Sequence, residues 1–299
     1  MTEALAATAQ TPLYLLYRGP LASCNYGCSY CPFAKRRDDR AALARDRAAL
    51  QRFVTWAGEQ HVLRRAIGIL FTPWGEALIR KAYRDAMVAL SHLPHIAKVA
   101  VQTNASCSFD WTEDADKAKL AFWTTFHPGE ISRDRFLAKT RAMDELGLRY
   151  SVGVVGLKEH ADDIAWLRAR LTPETYLWIN AYKRLPAYYT EAEISQFQAI
   201  DPLFGYNLTA HHSLGAECRA GFSSVTVDGE GTLRRCHFIA TPIGNIYEGG
   251  IEASLARRTC VNDTCGCHIG YVNLDRLGLA EIFGAGLLER IPEGRSLRA

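Results

Sequence analysis

A chain of 299 residues, 48% apolar and 22% charged, holds enough hydrophobic material for a folded core, which excludes wholesale disorder. Its length predicts two domains, or one α/β barrel with an appendage. A formal charge of +3 is too near balance to give an electrostatic footprint for nucleic acid or a membrane surface.

Residues 1–10 lack the basic and apolar regions of a signal peptide. The longest apolar stretches, such as 66–71, fall far short of the roughly 20 residues that span a bilayer. A cytoplasmic protein with reduced thiols is the expectation. Only about twelve residues precede the first strand, so no N-terminal peptide-recognition domain is expected.

Strand-like runs fall at 13–17, 66–71, 99–103, 121–126, 151–155 and 176–181. Amphipathic helical patterns lie between them at 41–56, 76–91, 133–146 and 161–171. Six strands alternating with such helices predict a parallel sheet covered by helices, either a partial (β/α)6 barrel or a doubly wound sheet. Its working site would lie at the C-terminal ends of the strands. The mixed-charge run Lys35-Arg36-Arg37-Asp38-Asp39-Arg40 reads as a solvated face leading into a helix.

The alternation breaks at Pro186-Ala187-Tyr188-Tyr189. Alternating apolar residues flanking Asp228-Gly229-Glu230-Gly231 predict a β-hairpin, and five more cysteines follow or precede it. The expected fold class is α/β: a partial barrel over residues 1–190, then a small α+β unit with a hairpin over 191–299. His211-His212 has no ligand spacing, and Gly284-Ala285-Gly286 lacks the third glycine of a dinucleotide loop.

The nine cysteines form two groups with Cys107 between them, and their odd number argues against a complete disulfide framework. Cys24-Asn25-Tyr26-Gly27-Cys28-Ser29-Tyr30-Cys31 puts three thiols in eight residues just after the first strand. Three thiolates can hold a cubane iron–sulfur cluster and leave one iron without a protein ligand. A zinc knuckle or redox thiol loop is the alternative, although zinc normally takes four ligands at a different spacing. Gly27 lets the loop approach closely, and Pro32 stiffens its exit.

This loop resembles the C-x3-C-x-aromatic-C motif of radical S-adenosylmethionine (radical SAM) enzymes, with Tyr30 in the aromatic slot. Thr72-Pro73-Trp74-Gly75-Glu76 resembles the family's Gly-Gly-Glu segment, with Trp74 in place of its first glycine. Gly153-Val154-Val155-Gly156-Leu157-Lys158-Glu159 resembles its adenine-cradling G-x-I-x-G-x-x-E, with the glycines one residue closer. The resemblance implies a SAM-binding [4Fe–4S] cluster on Cys24, Cys28 and Cys31. It also implies SAM contacts from Tyr30, Gly75, Glu76, Gln102, Asn104, Thr125, His127, Gly153 and Val155.

The spacing from Cys218 to Gly231 and Cys236 resembles the twitch or SPASM extensions that carry an auxiliary cluster. Cys218, Cys236, Cys260, Cys265 and Cys267 are its candidate ligands. Four ligands from five cysteines leave one thiol over, and Cys107 is also unassigned. A thiol S–H is weak enough to give a hydrogen atom to a carbon radical, which makes Cys260, Cys267 and Cys107 candidate donors. Structural zinc on Cys236, Cys260, Cys265 and either Cys267 or His268 is the alternative for this group.

The resemblance implies a deoxyadenosyl radical that takes hydrogen from a small substrate. A neomycin C epimerase type or an aminocyclitol dehydrogenase is the expectation, and a peptide-modifying enzyme or a non-enzymatic metal protein the alternative. A flavodoxin or ferredoxin would supply electrons.

Overall fold

The computed structural model describes residues 12–33, 37–63 and 65–293. Residues 1–10, read above for a signal peptide, lie outside these, as do Lys35 and Arg36 of the mixed-charge run.

The barrel half of the chain runs β1 (Leu13–Arg18), α1 (Arg40–Glu59), β2 (Ile67–Phe71), α2 (Lys81–Ser91), β3 (Ile96–Thr103), β4 (Leu120–Phe126), α3 (Arg133–Glu145), β5 (Arg149–Gly156), α4 (Ala161–Arg168) and β6 (Leu177–Ala181). Each strand pairs in parallel with the next. All six therefore bring their C-terminal ends to one rim.

Period-two alternation divides each strand between two cores. Leu13, Leu15 and Tyr17 of β1 join Ile67, Ile69 and Phe71 of β2 on the outer face, against Leu50, Phe53 and Ala57 of α1. Leu16, Leu70, Ala100, Ala121, Trp123 and Trp178 point inward. α1 starts where the Asp39 side chain accepts the Ala42 N–H at 2.7 Å.

The second half adds α5 (Glu191–Ile200), β7 (His211–His212), β8 (Glu217–Cys218), β9 (Ser224–Asp228), β10 (Thr232–Arg234), β11 (Pro242–Asn245), β12 (Arg258–Thr259), β13 (Thr264–Cys265), α6 (His268–Tyr271) and α7 (Leu279–Phe283). The expected hairpin is β9–β10, and its Asp228 carboxylate accepts the Glu230 and Thr232 N–H groups. This hairpin does not stand apart. β9 pairs in parallel with β1, giving one nine-stranded sheet in the order β11-β10-β9-β1-β2-β3-β4-β5-β6.

The C-terminal segment closes the bottom of the barrel. Leu288 joins the inner core. The Glu289 carboxylate, fully buried, meets Lys98 at the start of β3 and Arg149 at the start of β5. Ser151 donates its hydroxyl to the Glu289 carbonyl at 2.6 Å. No helix among the described residues is long and apolar enough to cross a membrane.

One expected element is shorter than its pattern. The helix read from residue 76 begins only at Lys81, because the Glu76 carboxylate turns inward to β3 instead of capping a helix.

Candidate active site

The thiol loop leaves β1 at the rim and is anchored by two carboxylates. Asp46 accepts the Leu21 N–H at 3.0 Å. Asp38 accepts the Ala22 and Ser23 N–H groups at 2.9 and 2.8 Å, and the Ser23 hydroxyl at 2.6 Å. Burial opposes the Asp38 charge, but the Ser23 hydroxyl and the two amides outweigh it and hold the carboxyl below its ordinary range. The reading of Lys35–Arg40 as a solvated face is corrected at Asp38, whose half-buried side chain sets the loop, while Asp39 stays exposed as it caps α1.

From the other side, Gly75 and Glu76 donate their N–H groups to the Leu21 and Ser23 carbonyls, both at 3.1 Å. A Cβ on Gly75 would stand 2.1 Å from the Ser23 oxygen, so only glycine lets the two loops meet. The Glu76 carboxylate is buried and accepts from the Thr103 hydroxyl, the Asn104 N–H and the Leu78 N–H at 2.7, 2.7 and 3.0 Å. Burial raises its pKa, and these three donors oppose the rise.

Asn104 links this anchor to the thiols. Its Nδ2 lies 3.7 Å from the Cys24 sulfur and 3.0 Å from Asn25 Oδ1. The Tyr26 N–H also points at the Cys24 sulfur, at 3.4 Å. Cys28 Sγ and Tyr30 Oη lie 3.3 and 3.0 Å from His127 Nδ1, at the end of β4. Burial lowers His127 to about 4, with His160 acting in the same direction, so the ring is neutral. Cys31 N–H bonds the Cys28 carbonyl at 3.2 Å.

The remaining expected contacts line the inward face of the rim. Gln102 accepts the Thr72 hydroxyl. Thr125 and Val155 are half-buried near the ends of β4 and β5. Gly153 lies under Trp178, whose ring would be 1.9 Å from an added Cβ.

The five C-terminal cysteines converge from separate short elements. Cys218 and Cys265 lie on the ladders β8–β12 and β13–β7, and Cys260 N–H bonds the Ala216 carbonyl at 2.9 Å. Cys267 caps α6. After burial, the main cause that raises Cys265, the thiols of Cys236, Cys260, Cys267 and Cys218 each act on it. A Cβ on Gly270 would stand 2.6 Å from the Cys265 sulfur, so glycine makes room for that thiol.

Among the described residues no three His, Cys, Asp or Glu side chains stand as a ready metal-holding set. The donor chemistry of both groups nonetheless fits iron–sulfur clusters: clustered thiols, backbone and amide N–H groups aimed at sulfur, and glycines at the closest approaches. His268, the alternative zinc ligand, packs edge-on against Trp123, Tyr271 and Phe283 inside the barrel.

The three candidate donor thiols occupy different settings. Cys107 packs with the outer core, and its carbonyl accepts from Lys139 of α3. Cys260 is buried. Cys267 is exposed, and its charge acts on Lys183 after β6 and on Arg18 at the end of β1. Arg18 and Lys183 escaped the sequence reading, since a lone cation at a strand end carries no motif.

The architecture is that of a partial barrel with a thiol loop after its first strand, and the chain has the fold of radical SAM enzymes. It is similar to anSMEcpe with bound AdoMet and the Cp18Cys peptide, at 14% identity over 82% of each chain and a TM-score of 0.53. Against anSMEcpe with AdoMet alone the identity is 13%, over 82% of this chain and 83% of that one, with a TM-score of 0.51. Similarity to BtrN in complex with AdoMet and 2-DOIA is looser, at 14% identity over 81% of each chain and a TM-score of 0.40. No protein-family model and no curated protein matches the chain.

Proposed function

We propose that this chain is a radical SAM enzyme that abstracts hydrogen from a carbon of a small substrate and inverts that carbon. The observation that carries the reading is the thiol loop Cys24–Cys28–Cys31, docked through Gly75, Glu76 and Asn104 onto the ends of β2 and β3. Residues 1–190 form the SAM-binding part, and residues 191–299 hold an auxiliary [4Fe–4S] cluster.

The chemistry that a reduced [4Fe–4S] cluster and SAM supply when bound is a 5′-deoxyadenosyl radical able to take hydrogen from an unactivated carbon. Cys24, Cys28 and Cys31 would hold that cluster, and Cys218, Cys236, Cys260 and Cys265 the auxiliary one. Gln102, Asn104, Thr125, Gly153 and Val155 line the rim where SAM would lie, with Tyr30 and His127 beside the thiol loop and Gly75 and Glu76 bracing it.

Cys267 is the hydrogen donor, because it is the exposed member of its group and stands within electrostatic reach of Arg18 at the end of β1 and Lys183 just after β6. Its S–H bond breaks to give one hydrogen atom to the opposite face of the substrate carbon. One electron from a flavodoxin- or ferredoxin-type carrier and one proton from solvent then restore the thiol. The resemblance implies an amino sugar as substrate.

Anaerobic reconstitution tests this reading. About eight irons per chain, as two cubanes, are expected, with release of 5′-deoxyadenosine from SAM. Turnover in deuterated water should leave deuterium at the inverted carbon. Cys267→Ser should keep the iron and stop inversion, whereas Cys107→Ser should leave both the iron and inversion intact. Stoichiometric zinc without SAM cleavage refutes the enzyme reading, and unlabelled oxidised product replaces inversion by dehydrogenation.

A further inference from the structure

The inside of the barrel is charged in a way that the reaction chemistry alone does not require. Arg290 follows the buried Glu289 and is itself only 2% exposed. Its backbone takes φ of +57°, in the left-handed region that a non-glycine residue avoids at a cost of about 1 kcal/mol. That turn aims the side chain up into the barrel, where the guanidinium lies 4.3 Å from the centre of the Trp178 ring and 5.7 Å from that of Trp123. Its buried Nε has no hydrogen-bond partner.

Lys183 lies just after β6, at the rim of the barrel. Its Nζ donates to the Asn207 carbonyl and Oδ1 at 2.8 and 2.7 Å, both uncharged acceptors. After burial itself, the charges of Arg290 and Lys183 both act on the buried His268 ring, and the charge of Arg290 acts on Lys183. Among the described residues no carboxylate lies within ion-pair distance of either.

The neighbouring acids are already engaged. Glu289 is taken by Lys98 and Arg149. Asp201 accepts from Tyr176 Oη, Ile179 N–H and Leu203 N–H at 2.6, 2.8 and 3.0 Å. Arg290 favours the charged form of Asp201 without pairing with it directly, and a ligand carboxylate or phosphate would give the buried guanidinium the charge-assisted hydrogen bonds that it lacks. Arg18 is different: it is already engaged outside this group, donating to the Thr72 carbonyl at 3.0 Å.

We propose that Arg290 and Lys183 form the binding site for an anionic oxygen group, a carboxylate or a phosphate, carried by the small substrate. The proposal rests on the radical SAM reading above and names the substrate class for the same barrel. The two cations repel the ammonium groups of an amino sugar, so the amino-sugar expectation gives way to a sugar acid, a sugar phosphate or a comparable small anion.

Calorimetric titration of the anaerobically reconstituted protein tests this with glucuronate, glucose 6-phosphate, glucose and glucosamine. At least one of the two anions should bind more tightly than glucose and glucosamine by at least about tenfold, a difference of about 1.4 kcal/mol. Arg290→Gln and Lys183→Met should each weaken that anion by at least about tenfold, with iron content and S-adenosylhomocysteine affinity unchanged. If Arg290→Gln does not fold by circular dichroism, Lys183→Met decides.

Binding of neither anion, glucosamine binding as well as the anions, or anion affinity untouched by the variants overturns the proposal. Loss of S-adenosylhomocysteine affinity instead assigns the cations to the cofactor's carboxylate, and loss of iron assigns them to a cluster; either overturns it. Release of 5′-deoxyadenosine by the wild-type protein is measured separately. Its absence with anion selectivity intact overturns only the radical reading.

Discussion

The Glu76 carboxylate accepts the Asn104 backbone N–H at 2.7 Å, and through that bond the turn after β2 fixes the residue whose side-chain amide faces the Cys24 sulfur. Its other oxygen accepts from Thr103 and Leu78. Glu76→Gln puts an N–H₂ group where one of these N–H or O–H donors now points. A buried donor left without an acceptor costs about 1–3 kcal/mol. Urea unfolding should show a loss of about 2 kcal/mol, and an unchanged midpoint would contradict the anchoring role.

Gly75 tests the loop contact from the other side. Alanine there needs the Ser23 carbonyl to retreat from a 2.1 Å approach. Backbone cannot yield as a side-chain end does, so overpacking of about 1–3 kcal/mol is expected. Gly75→Ala should lower the melting temperature and weaken SAM in equilibrium dialysis. Gly147→Ala, where an added Cβ meets nothing within 4 Å but φ is +66°, separates backbone strain from contact. It should destabilise the fold with SAM affinity retained.

Glu289 carries the bottom of the barrel. It is fully buried between Lys98 and Arg149. Glu289→Gln leaves Lys98 facing an uncharged amide while the partly exposed Arg149 keeps Glu293, so the loss should fall below about 3–5 kcal/mol, the cost of breaking a fully buried pair. Because Leu288 and Arg290 flank it, the tail should also loosen. Amide exchange at Ser151 and Leu288 should quicken in the variant. Unchanged exchange there would mean that the tail is held by apolar packing alone.

The six parallel strands were legible because buried strands read as short apolar runs, and the thiol loop because its spacing is local. Hairpin β9–β10 was equally local, through Asp228 and Gly231. Its pairing with β1 was not, since Tyr14 and Ser224 are joined only by the folded sheet. Glu76 looked like a helix start, but three donors on a neighbouring segment and strand drew its carboxylate inward. Leu288, Glu289 and Arg290 carry no motif, whereas the structure inserts them into the barrel. Contacts set by distant segments were the part that sequence patterns did not carry.

Lys183 gives a pH dependence with a definite sign. Burial lowers its pKa to about 8, with Cys267 acting upward and Arg290 downward. The unfolded chain keeps an ordinary lysine near 10.4. Between these values the unfolded state binds more protons, so raising the pH through this window favours the folded state. Below about 8 the folded protein bears the full cost of the buried ammonium, at most about 3 kcal/mol from the size of the shift. Lys183→Met has no such group, although it leaves the Asn207 oxygens without their donor at every pH. The stability of wild type minus variant should therefore rise between pH 8 and 10, measured by urea unfolding at fixed ionic strength, and stay flat between pH 6 and 7.5. A difference that is flat across both ranges, or that falls with pH, would show that the amine is solvated rather than buried inside the barrel.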